Sequence, residues 1–417
     1  MKILILIENY PPTIKGGAEV STKIMAEELA KRKINVHVLT RCLNNKKIVE
    51  KINQVTVHRT ITSLDFFTIK EGLMCLPLTT YFIKKQILSL NKKENFDLFH
   101  ASGRDVAIGT ILAAKKAGIP SIAHIRDYWP ICPMRSCIKL YNEKADCKFS
   151  PYCVLCHTKH AELLYGSKNG LYFLWSIIAY INTIYRQKKL RKATHIFTVS
   201  KFVKSLLLKN KFDSKNIEAI PNILPNIKTI KPSNKKKNNK TGILYIGRLS
   251  IEKGIFDLIS ACSIVYKNNQ NIKLRIVGGG PLEKKLKEFV KKNKIKFVEF
   301  VGKIPINKVQ NEYINCDIVS CPSTYPEPFP RVAIEAAYFK KPMIAYNSGG
   351  IPEIVKHRDT GLLVDVGDIK KLADSILELI NNNKLREKIT KNTEKTRKQC
   401  NSKPIIDQII KTYEKLM

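Results

Sequence analysis

Acidic residues are scarce in this sequence of 417 residues. Asp and Glu together number 35 against 73 Lys and Arg, which gives a formal net charge of +38 at pH 7. Such an excess of positive charge is typical of nucleic-acid-binding proteins. The lysines are nevertheless scattered along the whole chain among Asn and Ile, without a recognisable nucleic-acid-binding module. We therefore interpret the charge as compositional bias first and attraction to anionic lipid second, and we predict no nucleic-acid partner.

Long apolar runs are also missing. The apolar and aromatic stretch 171–185 has fifteen residues, fewer than the roughly 20 that a transmembrane helix needs. It contains Trp and Tyr and is followed by the basic run 186–192. These features are typical of a helix lying in a membrane interface, and a long helix packed on the sheet fits them at least as well.

No leader sequence is evident at the start. The apolar run from Met1 to Ile7 is followed at once by Glu8-Asn-Tyr-Pro-Pro. Such a short run predicts a buried strand rather than a secretory signal. We therefore expect a cytoplasmic protein, peripheral on the cytoplasmic membrane face if the 171–185 helix lies in the interface.

The length of the chain suggests two or three domains, and its pattern is of α/β type. A strand over Lys2–Ile7, a helix from about Val20 to Arg32 and a strand over Asn35–Thr40 predict a β-α-β unit with parallel strands. A polar, basic linker follows at 225–240, and a second α/β unit begins at Gly242. The first domain is expected to span 1–224 and the second 241–396.

The stretch Cys321–Asp368 holds the strongest candidate site. Three prolines between 326 and 330 exclude a helix before about Arg331. Glu327 is therefore predicted on a loop and Glu335 about one turn into a helix, where both can face a ligand at the helix N-terminus. Unpaired N–H groups and the helix dipole suit phosphate oxygens at such a place. Two solvated glutamates on a capped surface helix are the alternative.

Several motifs in this stretch follow one another in a characteristic order. The pattern E-P-F-x-x-x-x-x-E-A begins at Glu327 and is followed by G-G-I-P-E-I-V and T-G-L-L-V. This order resembles the donor-sugar site of the family 4 retaining glycosyltransferases. That resemblance implies the GT-B fold, two Rossmann-like domains facing across a cleft, with a last helix over 397–417 returning to the first domain.

The resemblance covers nearly the whole chain and is strongest over 242–368. It departs at Pro330, where many family members have glycine. Because proline has no N–H, a backbone contact to sugar or phosphate is excluded at that position.

The resemblance also implies roles for particular residues. G-R-L-x-x-E-K-G, starting at Gly247, matches the family's diphosphate clamp, with Arg248 and Lys253 neutralising the leaving group. Glu335 is implied to bind the ribose hydroxyls and Glu327 the sugar. The implied donor-binding residues are Gly16, Gly17, Arg248, Lys253, Glu327, Glu335, Ser348, Gly349 and Gly350. No catalytic metal is required, since two fixed cations serve the departing diphosphate.

The acceptor side is expected in the first domain. Asp97-Leu-Phe-His100 resembles a family strand with a terminal histidine, for which packing at the strand end is the alternative to ligand contact. Where many members have His-Asp, this chain has Arg126-Asp127, and an arginine cannot act as a base. Asp127 is thus the candidate for accepting the acceptor hydroxyl's hydrogen bond, and Arg126 for holding an anionic group.

A cysteine-rich insertion lies at about 130–160 and has no counterpart in the resemblance. Five of the eleven cysteines fall within it, namely Cys132, Cys137, Cys147, Cys153 and Cys156. Disulfides are disfavoured in the cytoplasm, and C-x-x-C is the usual spacing for two ligands of one metal. A structural zinc and unligated thiols both remain open, and iron–sulfur spacings are not met closely.

Taken together, these features predict a retaining hexosyltransferase of cell-surface polysaccharide or glycoconjugate synthesis. The donor is a nucleotide-diphosphate sugar and the acceptor a glycan, with a polyprenyl-linked glycan favoured by the 171–185 stretch. A sugar-nucleotide epimerase or a phosphorolytic enzyme on the same fold is the alternative, because a fold does not determine a reaction. A non-catalytic metal-binding scaffold is a further one.

Overall fold

A computed structural model describes residues 1–14, 16–44, 46–61, 77–133, 148–165, 171–224 and 240–417. The chain divides into two compact units. Met1–Ile223 and Ser402–Met417 form the first unit, and Leu224–Asn401 form the second. Almost all of the expected linker lies outside the described residues.

The first unit is built on an eight-stranded sheet with the order β3-β4-β2-β1-β5-β6-β7-β8. Neighbouring strands are parallel except β3 and β4. The strands are β1 (Lys2–Leu6), β2 (Asn35–Arg41), β3 (Ile48–Ile52), β4 (Val55–Ile61), β5 (Leu98–Ala101), β6 (Ser121–Ile125), β7 (His195–Thr198) and β8 (Ile217–Ala219).

Helices connect these strands, as parallel neighbours require. They are α1 (Gly17–Lys31), α2 (Pro77–Glu94), α3 (Arg104–Ala117), α4 (Tyr152–Tyr165), α5 (Leu171–Leu190) and α6 (Lys201–Lys209). Helix α1 begins before the expected start at Val20, because Gly16 is the extended N-cap residue and helical backbone follows it directly.

The second unit has a six-stranded, wholly parallel sheet with the order β11-β10-β9-β12-β13-β14. Its strands are β9 (Thr241–Ile246), β10 (Ile272–Val277), β11 (Val298–Gly302), β12 (Ile318–Cys321), β13 (Met343–Tyr346) and β14 (Leu362–Val364). Its helices are α7 (Ile255–Asn268), α8 (Glu283–Lys292), α9 (Ile306–Asn315), α10 (Arg331–Tyr338), α11 (Ile351–Ile354), α12 (Ile369–Asn381) and α13 (Asn383–Gln399).

The last helix, α14 (Ser402–Leu416), belongs to the first unit. Its Ile409 and Tyr413 side chains are fully buried in the core beneath β1 and β2. Gln408 donates a hydrogen bond of 2.6 Å to the carboxylate of Glu218, a residue of strand β8. The helix is therefore an integral part of the first unit's core.

Each sheet reverses its strand order at its first strand. Strand β1 lies between β2 and β5, and β9 lies between β10 and β12. In open α/β sheets, ligands bind outside the carboxyl ends of the strands at such a switch point. The predicted α/β class with two Rossmann-like bodies is confirmed, and each body has one edge at which a site is expected.

Among the described helices, none combines the length and apolarity needed to cross a membrane.

Candidate functional site

An ion pair joins the two loops at the switch point of the second unit. Lys253, in a short 3-10 turn after β9, has its Nζ 2.5 Å from Glu327 Oε1 in the loop after β12. Ser323 Oγ donates to the same carboxylate oxygen over 2.8 Å. The Lys253 ammonium also lies 5.1 Å from the centre of the Tyr325 ring. A cation is thus held at the carboxyl edge of the sheet.

Burial alone would favour neutral Lys253. The charge of Glu327 and the hydrogen bond to it outweigh this penalty and raise the pKa of Lys253. The side chain therefore carries its positive charge throughout the neutral range.

Backbone contacts fix the positions of the two loops relative to each other. The Glu252 carbonyl oxygen accepts hydrogen bonds from Thr324 Oγ1 at 3.2 Å and from the Tyr325 N–H at 3.1 Å. Gly254 has φ of 62°, and a Cβ there would overlap the Pro322 carbonyl oxygen. Only glycine permits both this backbone conformation and this close approach.

Arg248 lies in the same β9 loop and is exposed. Its carbonyl oxygen accepts a 2.8 Å hydrogen bond from Tyr245 Oη, which holds the backbone in place. In the described part of the chain, no acidic side chain forms an ion pair with the Arg248 guanidinium. This planar donor is therefore available to an anion.

Glu335 lies in helix α10, as predicted, and Glu327 lies on the preceding loop. The Glu335 carboxylate accepts hydrogen bonds from Tyr313 Oη at 2.9 Å and from Arg331 Nη2 at 3.2 Å. These donors orient the carboxylate, and its binding to ribose stays a prediction.

The glycine pair after β13 supports Glu327. The Gly350 N–H donates to the Glu327 carbonyl oxygen over 2.7 Å. Gly349 has φ of 59°, and a Cβ there would come within 2.6 Å of the Pro326 carbonyl carbon. The absence of a side chain is thus explained by packing against the β12 loop, while contact of Ser348, Gly349 and Gly350 with phosphates stays a prediction.

The acceptor-side candidates lie at the carboxyl edge of the first unit's sheet. Asp127 Oδ1 accepts the Trp129 N–H at 2.8 Å, and its Oδ2 lies 3.5 Å from Arg104 Nη1. The side chain remains one-third exposed, so it can reach a ligand. Arg126 is held by Asn222 Oδ1 at 2.7 Å. Gly16 and Gly17 are exposed where helix α1 begins.

His100 lies in the core instead. It is fully buried, and its Nδ1 is 2.5 Å from Tyr413 Oη of helix α14. Burial, followed by the charge of Arg126, lowers the pKa of His100 to about 3, which keeps the ring neutral. His100 is therefore packed at the end of its strand, which was the alternative to ligand contact, and we assign it no ligand.

Sequence reasoning overlooked three residues at the same edge. Glu8 follows β1, while Arg104 and Asp105 open helix α3 after β5. The Asp105 N–H donates to Glu8 Oε1, and Arg104 Nε lies 2.9 Å from Asp105 Oδ1. A polar residue directly after each buried strand was the signal that could have identified them.

The cysteine segment is described only in part. Cys137 and Cys147 lie outside the described residues. Cys153 and Cys156 are one turn apart on helix α4, Cys132 is buried, and no disulfide joins these three. The structural zinc therefore stays a prediction.

A different trio offers metal-ligand atoms within the described ranges. His37, His58 and Glu94 place one candidate atom each within 4.8 Å of one another. The two histidines, however, share a 2.8 Å hydrogen bond, and Lys2 Nζ lies 2.6 Å from Glu94. These contacts satisfy the groups, so we describe them as a buried polar network.

Comparisons with known protein families cover both units. The family described as Glycosyltransferase Family 4 matches residues 15–224, and Glycosyl transferases group 1 matches residues 226–396. An uncharacterised glycosyltransferase of Methanocaldococcus jannaschii is 29% identical over 273 residues, 64% of this chain and 69% of the relative. The capsular polysaccharide biosynthesis glycosyltransferase CapM of Staphylococcus aureus is 33% identical over 177 residues, 41% of this chain and 45% of CapM. The match to CapM thus spans less than half of that protein.

Solved structures share the fold. HepE of Anabaena, solved with UDP and glucose, superposes with a TM-score of 0.71 at 20% identity and full coverage of both chains. Sucrose-phosphate synthase of Thermosynechococcus elongatus gives a TM-score of 0.73 at 19% identity, over 100% of this chain and 98% of that one. The fold is therefore that of the GT-B glycosyltransferases.

Substitution of two glycines distinguishes the cost of backbone strain from the loss of the packing that positions Glu327. Gly349→Ala and Gly367→Ala both place a side chain at positive φ, but only Gly349 faces other atoms, since nothing lies within 4 Å of a Cβ at Gly367. Each change should cost about 1–2 kcal/mol for the left-handed backbone. We expect Gly349→Ala to lose clearly more stability in urea denaturation. Equal losses would contradict the packing role of Gly349.

Proposed function

This chain belongs to glycosyltransferase family 4, and we propose that it transfers a sugar from a nucleoside-diphosphate sugar to a hydroxyl of a glycan or lipid-linked acceptor. We further propose that the anomeric configuration is retained and that the product is a cell-surface polysaccharide or glycoconjugate. The second unit binds the donor, and the first unit binds the acceptor.

The observation that supports this proposal most directly is the pair of cations after β9. Lys253 is charged and fixed by Glu327, whereas the Arg248 guanidinium is exposed. A leaving diphosphate gains negative charge as its bond to the anomeric carbon breaks. Preorganised cations stabilise such charge without reorganising during the reaction.

The remaining roles follow from this placement. The anomeric carbon loses its bond to the diphosphate oxygen and gains a bond to the acceptor oxygen on the same face, and the hydroxyl proton leaves with the diphosphate. Glu327 hydrogen-bonds the sugar, Glu335 the ribose, and Asp127 the acceptor hydroxyl. The protein needs no metal for this step.

The orientation of helix α5 supports a membrane-linked acceptor, because polar side chains of this helix face the protein and apolar ones face outward. Ser176, Thr183 and Gln187 are buried against the rest of the first unit, whereas Leu174 and Ile181 are more than half exposed. A helix that served only to cover the sheet would bury its apolar side. The exposed apolar stripe fits the headgroup region of a bilayer.

A basic patch adjoins this stripe. Lys188 lies on the same side of the helix about two turns beyond Ile181. Lys115, Lys189 and Lys188 all lie close enough to Lys192 to lower its pKa, with Lys115 acting most strongly. Clustered lysines of this kind attract anionic lipid headgroups. We propose that helix α5 rests on an anionic membrane surface.

The donor assignment is tested with UDP-, GDP- and ADP-sugars. Turnover, measured as release of nucleoside diphosphate, should select one donor and fall about 100-fold or more in Lys253→Ala and in Arg248→Ala. Lys273→Ala removes a lysine that pairs with Glu299 in the same unit and should leave turnover unchanged. If no donor binds and Lys253→Ala changes nothing, the proposed function is wrong.

Retention is tested on the product itself. With an α-linked donor, proton NMR of the freshly formed glycoside should show the small coupling of an α-anomer for a gluco-configured sugar. A β-linked product would contradict retention while leaving glycosyl transfer intact.

Membrane contact is tested by sedimentation with vesicles. Ile181→Glu should reduce binding to vesicles containing anionic phosphatidylglycerol about tenfold or more, because a charge enters the apolar stripe. Ile264→Glu, at an exposed isoleucine of helix α7 in the other unit, is the matched control. Equal binding by Ile181→Glu and the parent protein would show that α5 does not lie in the membrane interface.

A further inference from the structure

The switch point of the first unit holds a carboxyl group to which no role has yet been given. Glu8 follows β1, and the first turn of α3, after β5, lies against it. Its Oε1 accepts the Asp105 N–H, and a Cβ on Gly103 would overlap the Glu8 carboxyl group. The glycine therefore makes room for this side chain, which is partly exposed at the carboxyl edge.

Three carboxyl groups, those of Glu8, Asp105 and Asp127, and two guanidinium groups, those of Arg104 and Arg126, lie at this edge. Arg104 is the guanidinium that contacts both Asp105, at 2.9 Å, and Asp127, at 3.5 Å. Among the described residues, no second cation forms an ion pair with Glu8, Asp105 or Asp127. Because the two carboxylates are matched by two guanidinium groups, this edge has no excess positive charge to attract an anion, and it suits hydroxyl groups, which can donate and accept hydrogen bonds.

We propose that Glu8 is a specificity-determining residue that, with Asp127, binds a hydroxyl of a neutral acceptor sugar. The inference rests on the proposed glycosyl transfer and deepens it by assigning the chemical class of the acceptor group. Asp127 accepts the hydroxyl proton in a hydrogen bond, and the protonated Glu8 carboxyl donates one to a neighbouring hydroxyl oxygen.

The protonation state of Glu8 agrees with this role. Burial, followed by the charge of Asp105, raises the pKa of Glu8 to about 7. The charged groups that face it are Arg104 and Asp105, with Asp127 joined through Arg104. The donor form of the carboxyl is present below this pKa and is lost as the pH rises through it.

Capping of helix α3 is the competing role, because Gly103 supplies no side-chain cap. Two substitutions separate the roles. Glu8→Gln keeps an oxygen for the Asp105 N–H and supplies an amide donor at every pH, so it mimics the protonated acid. Glu8→Ala removes the contact to the acceptor as well as the cap.

The test is the KM of neutral octyl glycosides of glucose, galactose and N-acetylglucosamine in transfer by the full chain between pH 6 and 8.5. In the parent protein, the acceptor KM should rise towards tenfold per pH unit above about pH 7, as the protonated fraction falls. Glu8→Gln should keep a low, pH-independent KM, and Glu8→Ala a high one at every pH. The matched control Glu28→Gln, at a partly buried carboxylate of helix α1 paired with Lys31, should follow the parent.

A purely structural cap predicts otherwise. If Glu8→Gln shows the parent's pH dependence, or if Glu8→Ala lowers the melting temperature without raising KM, the inference is overturned. Saturation-transfer NMR of the same glycosides, with nucleoside diphosphate present, measures glycoside binding independently of transfer. It therefore distinguishes failure of the inference about Glu8 from failure of the proposed function. Binding that Glu8→Ala abolishes, without any transfer, supports the inference and contradicts the transferase. An absence of glycoside binding by the parent overturns the inference alone.

Discussion

The Lys253–Glu327 ion pair organises the ligand edge of the second unit. It joins the loop after β9 to the loop after β12, across the point at which the strand order reverses. A partly buried ammonium needs a counter-charge, and breaking such a pair leaves an uncompensated charge. Gly254 and Gly349 follow from this constraint. Each lies against the backbone of the β12 loop with no room for a Cβ, and this close contact holds one end of the ion pair in place. The diphosphate of the proposed donor would meet a cation already charged and positioned at this edge.

The first unit has a different balance of charge at its own switch point. Its first strand also lies at a reversal of strand order, but there carboxyl groups lie beside guanidinium groups in the loops. Glu8, Asp105 and Asp127 gather around Arg104, so this edge suits hydroxyls, whereas Arg248 and Lys253 suit phosphates. This difference supports our proposal that donor and acceptor bind to separate units, because one ligand is an anion and the other offers an alcohol oxygen.

The sequence predicted correctly the family, the fold class and the placement of Glu327 on a loop and Glu335 in the following helix. Motif order was sufficient there because Lys253, Glu327 and Glu335 lie in loops and helices with recognisable glycines and prolines. It did not predict that Gly349 supports Glu327, because that contact joins separate loops and depends on the register of β12 and β13. Glu8 was missed for a related reason: its significance comes from Asp105, which is adjacent in space but distant in the chain.

Helix α5 shows a second limit of sequence reasoning. Its apolar and aromatic composition fits a core helix and an interfacial helix equally well, and only its orientation distinguishes them. Ser176 is fully buried and accepts a 2.8 Å hydrogen bond from Thr158 of helix α4, so the polar side of α5 faces protein. Leu174 and Ile181 are consequently left on the surface, at the expected cost of exposed apolar area. In the proposed membrane contact, a lipid surface offsets that cost. Helix α5 and the carboxyl groups of Glu8, Asp105 and Asp127 belong to the same unit, so a lipid-linked sugar at the membrane would reach the unit to which we assign its hydroxyls.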